Sequence, residues 1–422
     1  MLTTMQDSKV YSSILQTQEN FTKRLRRDKR INQKVANKQR LEKIMETLKD
    51  VAENSDDVQN NHTPMEICNM MLEKVDLEKA QSVLVIYNVE LLFALRKAKY
   101  QGQVTFFTQS LAKKEWAEKL LPGVVVEYID KEENPLYFME TQWPDKFDIV
   151  VANPPYSKYL HIKFLLKSFE VAKEKIVFVH PSNSFINLKG GNKTYTNFNE
   201  SSRNKLDEIT LFNGNGIFGI NLKTPCSISV FSPNGGVKKI KVQNLITEEE
   251  YFVDSINKIT HFRNSPAFWS FKNKIDKSVK KSGSLDDILC KKSSGEYMVE
   301  FSRIRGNHYV GEINEKIVKD DFYTFVDKKL EVQKKNKSKY DLWFSFKDET
   351  TAINFLSYLK TDFARASLAI YKFAQSLNNG ELRFVPKLDF TQEWTDEKLY
   401  AHFGITEEEQ AFIKEVIPPY YD

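Results

Sequence analysis

Glycine is scarce, with 15 residues in 422, about half the usual ~7%. Loops that cradle phosphates, or that let a cofactor approach the backbone, normally consume glycine, so such loops are few in this chain. Cysteine is scarcer still. Cys68, Cys226 and Cys290 stand far apart without metal-ligand spacing. That argues against structural zinc and a disulfide framework, and it fits a reduced, cytoplasmic protein with no metal site. No apolar run approaches ~18 residues, so no membrane span is expected. The opening residues, MLTTMQDSKVYSSILQ, lack the apolar core of a signal peptide. No repeat recurs at a useful period. A dominant charge is missing too: 62 Lys plus Arg against 57 Asp plus Glu leaves +5, with a pI near 8.7. That mildly basic balance permits a nucleic-acid partner without requiring one.

What is present is a chain long enough for two or three domains, 41% hydrophobic and 28% charged, which excludes wholesale disorder. Residues 1–60 read as a basic helical segment. Between Lys23 and Lys49 there are eleven Lys or Arg, Arg26 and Arg27 among them, against three acids, with no Pro or Gly. Such a helix could lie along a phosphate backbone; the alternative is a solvated helix packed through Leu25, Val35, Ile44 and Leu48. The stretch NSDDVQNN (54–61) is a polar linker.

From Thr63 the texture changes. Residues 64–80 repeat apolar positions at helical spacing through Ile67, Met70, Met71 and Val75. Short β-branched runs follow at Val83–Tyr87, Val104–Phe107, Val124–Tyr128, Phe147–Ala152 and Lys175–His180, with helical patterns such as Leu91–Lys99 and Leu160–Lys173 between several of them. Buried strands alternating with helices predict an α/β fold with a doubly wound, mostly parallel sheet over residues 61–235. Leu211–Phe212 and Cys226–Phe231 would extend its edge. Residues 236–422 read as a mixed α+β region. It ends in a helical part, Glu349–Glu415, whose most periodic piece is Leu356–Leu377.

The strongest signal is Asn153-Pro154-Pro155-Tyr156, directly after the apolar strand Asp148–Ala152. Two prolines at a strand's carboxyl end stiffen an extended backbone whose carbonyls are not tied into a ladder. In open α/β sheets that edge is where ligands bind. An Asn amide oxygen beside a proline carbonyl makes a pair of acceptors suited to an exocyclic amino group, and the Tyr ring can stack on a planar base. Adenine's amino nitrogen is a poor nucleophile because its lone pair is delocalised into the ring. Two acceptors on its hydrogens pull it toward tetrahedral geometry and free the pair for attack on a methyl donor, by positioning and electrostatics rather than a general base. The bland alternative is a proline-stiffened loop before a helix.

FDIVVANPPY, followed by YLHIKFLLKSFEVA and IVFVHPSNSFIN, resembles the class I adenine-N6 DNA methyltransferases of bacterial or phage type. The order of elements resembles their gamma group, with cofactor elements first and a target-recognition region last. Upstream, His62-Thr63-Pro64 is similar to the family's threonine-proline cofactor motif. Downstream, Leu211–Phe231 with Phe218, and the segment Leu388–Asp396, are similar to later family segments. The resemblance implies a Rossmann-like methyltransferase domain, S-adenosylmethionine as cofactor and a flipped-out adenine in double-stranded DNA as target. It also allows a separate restriction endonuclease as partner; too few residues precede the cofactor region for a fused nuclease domain. Asn153 and Pro154 would accept hydrogen bonds from the target amino group, Pro155 would stiffen the loop and Tyr156 would stack on the base. Thr63 and Pro64, with Asn153, would contact the cofactor. Asp130 is the acid for its adenine ring, with Glu127 and Glu132 as competitors.

The match departs from the family in two places. The family ends its first strand with an acid and a glycine-rich turn, whereas this chain continues as Asn88-Val89-Glu90-Leu91-Leu92 without glycine. Asn88 takes the place of the acid, and Glu90 could supply the missing charge to the cofactor's amino group. After Val104–Phe107, where a carboxylate usually meets the ribose, only Thr108-Gln109-Ser110 are present. Two readings stay open: a variant site using Asn88 and Glu90, or a non-catalytic DNA-binding relative with an impaired cofactor site. A third keeps the chemistry on RNA. Elsewhere Arg303 and Arg305, before a Gly306-Asn307 turn, could read guanine edges or grip phosphates, with Asn307 as a further DNA contact, the alternative being a solvated strand face. His161 and His180, near the tetrapeptide, read as packing or surface residues.

Overall fold

The computed structural model describes residues 62–417 apart from 131–132, 144–146, 157–158, 183–184, 186–192, 215–216, 219–224, 291–296, 302–331, 335–341 and 372–378. The basic segment with Arg26 and Arg27, together with Arg303, Arg305, Asn307 and Glu132, lies outside the described residues.

The alternating pattern produces the expected sheet. Its first five strands are β1 (Ser82–Ile86), β2 (Gln103–Thr108), β3 (Val125–Tyr128), β4 (Phe147–Ala152) and β5 (Ala172–Pro181). Four more follow: β6 (Leu206–Asn213), β7 (Pro225–Phe231), β8 (Ile240–Asn244) and β9 (Glu249–Val253). Among the described residues these nine strands form one sheet in the order β3-β2-β1-β4-β5-β7-β6-β8-β9. Strands β1 to β5 pair in parallel. The two runs expected at the edge do extend the sheet, but β7 enters between β5 and β6, antiparallel to both. This is an α/β, Rossmann-like, mostly parallel sheet. The β8–β9 hairpin widens it further, with β8 parallel to β6.

Both faces are covered, which is why the central strands read as unbroken apolar runs. Successive β1 side chains point to opposite faces. Val83 and Val85 pack with α1 (Met65–Leu72), α2 (Val89–Lys97) and α3 (Leu111–Leu120). Leu84 and Ile86 pack with Phe107, Trp143 and Phe147, and with Phe164 of a helix over Leu160–Val171, preceded in the chain by another at Pro135–Gln142. We call these two helices α5 and α4 respectively.

A polar clasp sets the register at the bottom of the sheet. The Asp148 carboxylate accepts the N–H groups of Gln81 (2.8 Å) and Ser82 (3.0 Å), while Ser82 Oγ accepts the Asp148 N–H (2.9 Å). Leu84 then lies opposite Val150 and Ile86 opposite Ala152. The two strands therefore end level, with Asn88 beside Asn153. Chain order reverses between β1 and β4, so this level end is the topological switch point where such sheets bind ligands.

Two helices are shorter than their periodicity predicts. The pattern over 64–80 gives a helix only to Leu72, because the Asp76 carboxylate takes the Lys79 N–H and the last turn tightens to i−3 bonds from Lys74 and Val75. The run Leu356–Leu377 breaks at Thr361. Its backbone is extended (ψ 148°), and its hydroxyl accepts the Ala364 N–H while donating to the Tyr358 carbonyl.

A further core gathers Phe262, Phe268, Phe271, Phe355, Phe363 and Phe412 under helices Pro266–Ser282, Glu349–Lys360, Asp362–Ala369 and Glu407–Val416. A four-stranded antiparallel sheet with the order β10 (Leu289–Cys290), β13 (Leu342–Phe346), β11 (Tyr297–Phe301), β12 (Val332–Lys334) belongs to the same region. The large sheet runs on past residue 235 to Val253, and this core takes up the chain at Phe262. No described helix is long and apolar enough to cross a membrane.

Candidate functional site

At the switch point three segments distant in sequence are tied by buried side chains. Asn88 Oδ1 accepts the Asn153 backbone N–H (2.7 Å), which fixes the orientation of that amide. Its Nδ2 donates to Thr63 Oγ1 (3.0 Å), and Asn153 Nδ2 donates to the same hydroxyl (3.1 Å). Glu90 Oε1 accepts the Thr63 N–H (3.2 Å) and meets His62 Nδ1 at 2.9 Å. Thr63, Asn88, Glu90 and Asn153 are all at most 2% exposed. At that burial, internal pairing is what lets the polar groups be kept.

The geometry leaves Asn153 Oδ1 turned toward Tyr156, whose hydroxyl donates to it at 2.8 Å. Pro154 and Pro155 are buried and Tyr156 is partly buried. Burial, with a smaller contribution from Cys226, pushes the Tyr156 phenol well above the usual 10, so it acts as a neutral donor.

Two histidines, which the sequence suggests as packing or surface residues, are buried here, His161 against this tyrosine and His180 against His161. The His161 ring meets the Tyr156 ring edge-on, centroids 5.5 Å apart at 80°. Its other side lies 6.1 Å from His180, nearly parallel at 25°. His180 Nε2 meets Ser229 Oγ at 3.0 Å and its Nδ1 lies 3.2 Å from the Pro181 carbonyl. A third histidine, His261, is buried with Nε2 at 2.5 Å from Ser182 Oγ. The short segment around it is held by Asn244, whose Nδ2 donates to the Thr260 and His261 carbonyls. Spacing could not have signalled these histidines, because their partners lie on other strands.

Burial lowers His161 to about 4, and His180 and His261 to about 3, from the usual 6.5. For a base with a depressed folded pKa, the unfolded chain binds more protons below pH 6.5. The stabilisation is therefore complete above pH 6.5 and is lost as pH falls toward 4 and then 3. The melting temperature should decline steadily from pH 6.5 to 4, before most carboxylates titrate. Calorimetric melts at half-unit steps check this; a flat profile over that interval would contradict neutral burial of all three rings.

The turn after β1 shows how the chain manages without glycine. Only Tyr87 and Asn88 connect β1 to α2, and Tyr87 has φ 64°, the left-handed region that glycine usually fills. That conformation costs roughly 1–2 kcal/mol. It is offset by edge contacts of the Tyr87 ring with Phe107 (5.6 Å) and Phe164 (5.5 Å), and by its hydroxyl donating to Gln109 Oε1 (2.7 Å). Gln109 Nε2 donates in turn to the Asp130 (3.0 Å) and Glu133 (3.3 Å) carbonyls. Thr108 Oγ1 accepts the Ser110 N–H, and Ser110 Oγ caps α3 at Lys113. The neutral residues ending β2 are thus engaged within the protein. The Asp130 carboxylate is exposed at the end of β3, accepting from the Tyr128 hydroxyl at 3.2 Å. Glu127 lies within β3, partly buried. Pro64 precedes α1, and its carbonyl accepts the Cys68 N–H.

No family model and no curated protein matches the sequence. Among solved structures, the methyltransferase subunit of a type I restriction-modification system from Streptococcus thermophilus aligns at 15% identity with a TM-score of 0.34. That alignment covers 43% of this chain and 47% of that one, so the chain spans about half the length of that structure. TrmN from Thermus thermophilus aligns at 11% identity over 40% of this chain and 48% of its own, TM-score 0.30. The type IIG restriction endonuclease BpuSI aligns at 12% over 84% of this chain and 60% of its own, TM-score 0.37. Likeness at these identities concerns fold alone.

Proposed function

We propose that this chain transfers a methyl group from S-adenosylmethionine to the N6 amino group of an adenine flipped out of duplex DNA. The observation that carries the reading is the Asn153-Pro154-Pro155-Tyr156 loop at the carboxyl end of β4, with Asn153 held by Asn88 at its backbone N–H and by Thr63 at its side-chain Nδ2, so that its Oδ1 faces the tyrosine. Asn153 Oδ1 and the Pro154 carbonyl accept the two amino hydrogens and localise the nitrogen lone pair; the Tyr156 ring supports the base from its face. Proline at 154 and 155 removes two backbone donors and fixes the backbone that carries these acceptors.

The residues fit the cofactor at its methionine end. S-adenosylmethionine, when bound, supplies a methyl group activated by a sulfonium. Glu90 uses Oε1 for Thr63 and His62, and among the described residues no donor reaches its Oε2. That oxygen is the group for the cofactor's ammonium. Asn88, with its amide engaged at both ends, positions Asn153 and Thr63. Thr63 and Pro64 form the wall on the α1 side, and Asp130 is the carboxylate for the adenosine end. Double-stranded DNA is the partner, gripped through Arg26, Arg27, Arg303 and Arg305 with the neutral amide of Asn307 beside them, and a separate restriction endonuclease would act on the same sites. The cytoplasm is the compartment for this activity.

One observation favours a second reading, a non-catalytic DNA-binding relative. Tyr87 and Gln109 are buried and bonded to each other at the ends of β1 and β2, where a cofactor's ribose would lie. One experiment separates the two readings. Purified protein is incubated with tritiated-methyl S-adenosylmethionine and plasmid DNA from a methylase-deficient host. The DNA is then digested to nucleosides and analysed by mass spectrometry, with bulk RNA in parallel. Label in N6-methyldeoxyadenosine is expected; label in RNA alone would move the substrate. No label, with DNA binding retained, would favour the inactive relative.

A further inference from the structure

We infer that Tyr159 enters the DNA stack beside the extruded adenine, its ring taking the place that the flipped base leaves. The inference deepens the adenine-methyltransferase reading and rests on it for its kinetic part; its binding part needs only a duplex.

Exposed apolar side chains are not spread evenly over this molecule. Among the described residues the large ones that are exposed are Leu111, Val125, Tyr137, Tyr159, Phe252 and Ile353. Leu111 opens α3, Tyr137 lies in the first turn of α4, and Tyr159 is the N-cap of α5. Those helices follow β2, β3 and β4, so half of the set sits at the carboxyl edge of the sheet, around the mouth of the site. Tyr159 is the one next to the tetrapeptide. It stands three residues after Tyr156, at most ~11 Å along the chain, or about three base steps of a DNA strand.

The backbone at Tyr159 is strained. Its φ of 62° and ψ of 23° form the left-handed conformation that glycine takes freely and an aromatic residue does not. Tyr87 shares that conformation, but it is 2% exposed and its ring packs on Phe107 and Phe164. Tyr159 is 39% exposed, so its ring stands at the surface. Strain kept at a surface aromatic beside the ligand edge points to a contact made with the ligand.

The chemistry beside the ring identifies that ligand. Lys163 lies one turn further along α5, is exposed, and makes no ion pair among the described residues. A flat apolar ring and a free ammonium, about 6 Å apart along a helix axis, match a base face and a backbone phosphate of one strand. Extrusion of an adenine leaves a gap in the stack and unstacks its neighbours. An aromatic side chain placed in the gap recovers stacking and opposes return of the base. Tyr156 and Tyr159 thereby divide the work: the first supports the flipped base, and the second holds open the place it left.

The test uses the full-length protein and two short duplexes of one sequence, one intact and one with a single abasic position. A 2-aminopurine next to that position reports insertion of a ring. Wild type should bind the abasic duplex more tightly and change its fluorescence. In Tyr159→Gly, affinity for the abasic duplex should fall about five- to a hundredfold, the range of one base–aromatic stack. Affinity for the intact duplex should fall by less than about threefold, because phosphate contacts carry it. Glycine also relieves the backbone strain, so this variant should melt at or above the wild-type temperature. Tyr159→Asn, which tolerates the same conformation and caps helices, stands in if Tyr159→Gly fails to melt cooperatively. On the sequence that wild type methylates in plasmid DNA, single-turnover transfer by either variant should fall about tenfold or more at a paired adenine. It should recover at an adenine facing an abasic position, where extrusion costs little. An abasic preference absent from wild type, or unchanged in a folded variant without the ring, overturns the inference, as does an equal loss of rate on both substrates. A preference that depends on the ring, in a protein that methylates nothing, upholds the inference and removes the methyl-transfer reading instead.

Discussion

Asn153→Ala should lower methyl transfer to DNA by about a thousandfold or more, while the affinity for duplex DNA changes less than threefold. The side chain has two tasks. In the proposed reaction its oxygen is the acceptor that localises the amino lone pair, a preorganised dipole of the kind whose loss costs about 10²–10³ in rate. Its Nδ2 bond to Thr63 (3.1 Å) fixes where that oxygen points. Alanine removes both. The duplex should still bind, because affinity comes chiefly from phosphate contacts away from the flipped base. The fold should survive. Thr63 keeps its bond from Asn88, and the lost hydrogen bonds cost on the order of 1–3 kcal/mol together. Asn153→Asp is the companion: it keeps the acceptor but gives up the donor to Thr63, so it should be nearly as inactive. Single-turnover labelling, a filter-binding curve and a melt on each variant check the set. Wild-type incorporation by Asn153→Ala would end the assignment of the tetrapeptide as the catalytic centre.

Glu90→Gln should weaken S-adenosylmethionine binding about ten- to a hundredfold without unfolding the protein. A carboxylate bonded to an ammonium is a charge-assisted contact worth roughly 1.5–3 kcal/mol. Glutamine can still accept the Thr63 N–H through its carbonyl, so the clasp at the switch point stays closed. Glu90→Ala goes further. It leaves a buried Thr63 N–H without its partner and opens space beneath His62, so both cofactor affinity and melting temperature should fall. Titration calorimetry with a parallel melt distinguishes the two losses. Tight binding to wild type that Glu90→Gln leaves unchanged would reassign the ammonium to other groups. Negligible binding to wild type would favour the non-catalytic relative.

Much of the frame is legible in the sequence. Strands β1 and β4 are buried on both faces, so they had to be written as continuous apolar runs, and the helices between them as amphipathic ones. That alternation implies parallel pairing, and parallel pairing puts the residues after β4 on the ligand-binding edge. Asn153-Pro154-Pro155-Tyr156 could therefore be singled out from the letters and their position after a strand. Periodicity was less reliable at helix ends. Asp76 and Thr361 offer side-chain bonds that compete with the next helical turn, and no count of apolar positions registers that competition.

The letters alone carry the alternation, the mostly parallel pairing and the address of the tetrapeptide, because these follow from local periodicity and from which residues must avoid water. Tertiary structure decided the rest. The glycine-free turn works because Tyr87, at φ 64°, is held by Phe107, Phe164 and Gln109 from other elements. Asn88 and Glu90 could be suspected as substitutes, but only the fold brings Thr63 to both and joins Asn153 to the set. His161 and His180 looked like isolated histidines until β7 entered the sheet between β5 and β6 and set Ser229 against the second of them. In each case a side chain's partner lies tens of residues away in sequence, and hydrogen bonding across that distance leaves no period in the chain.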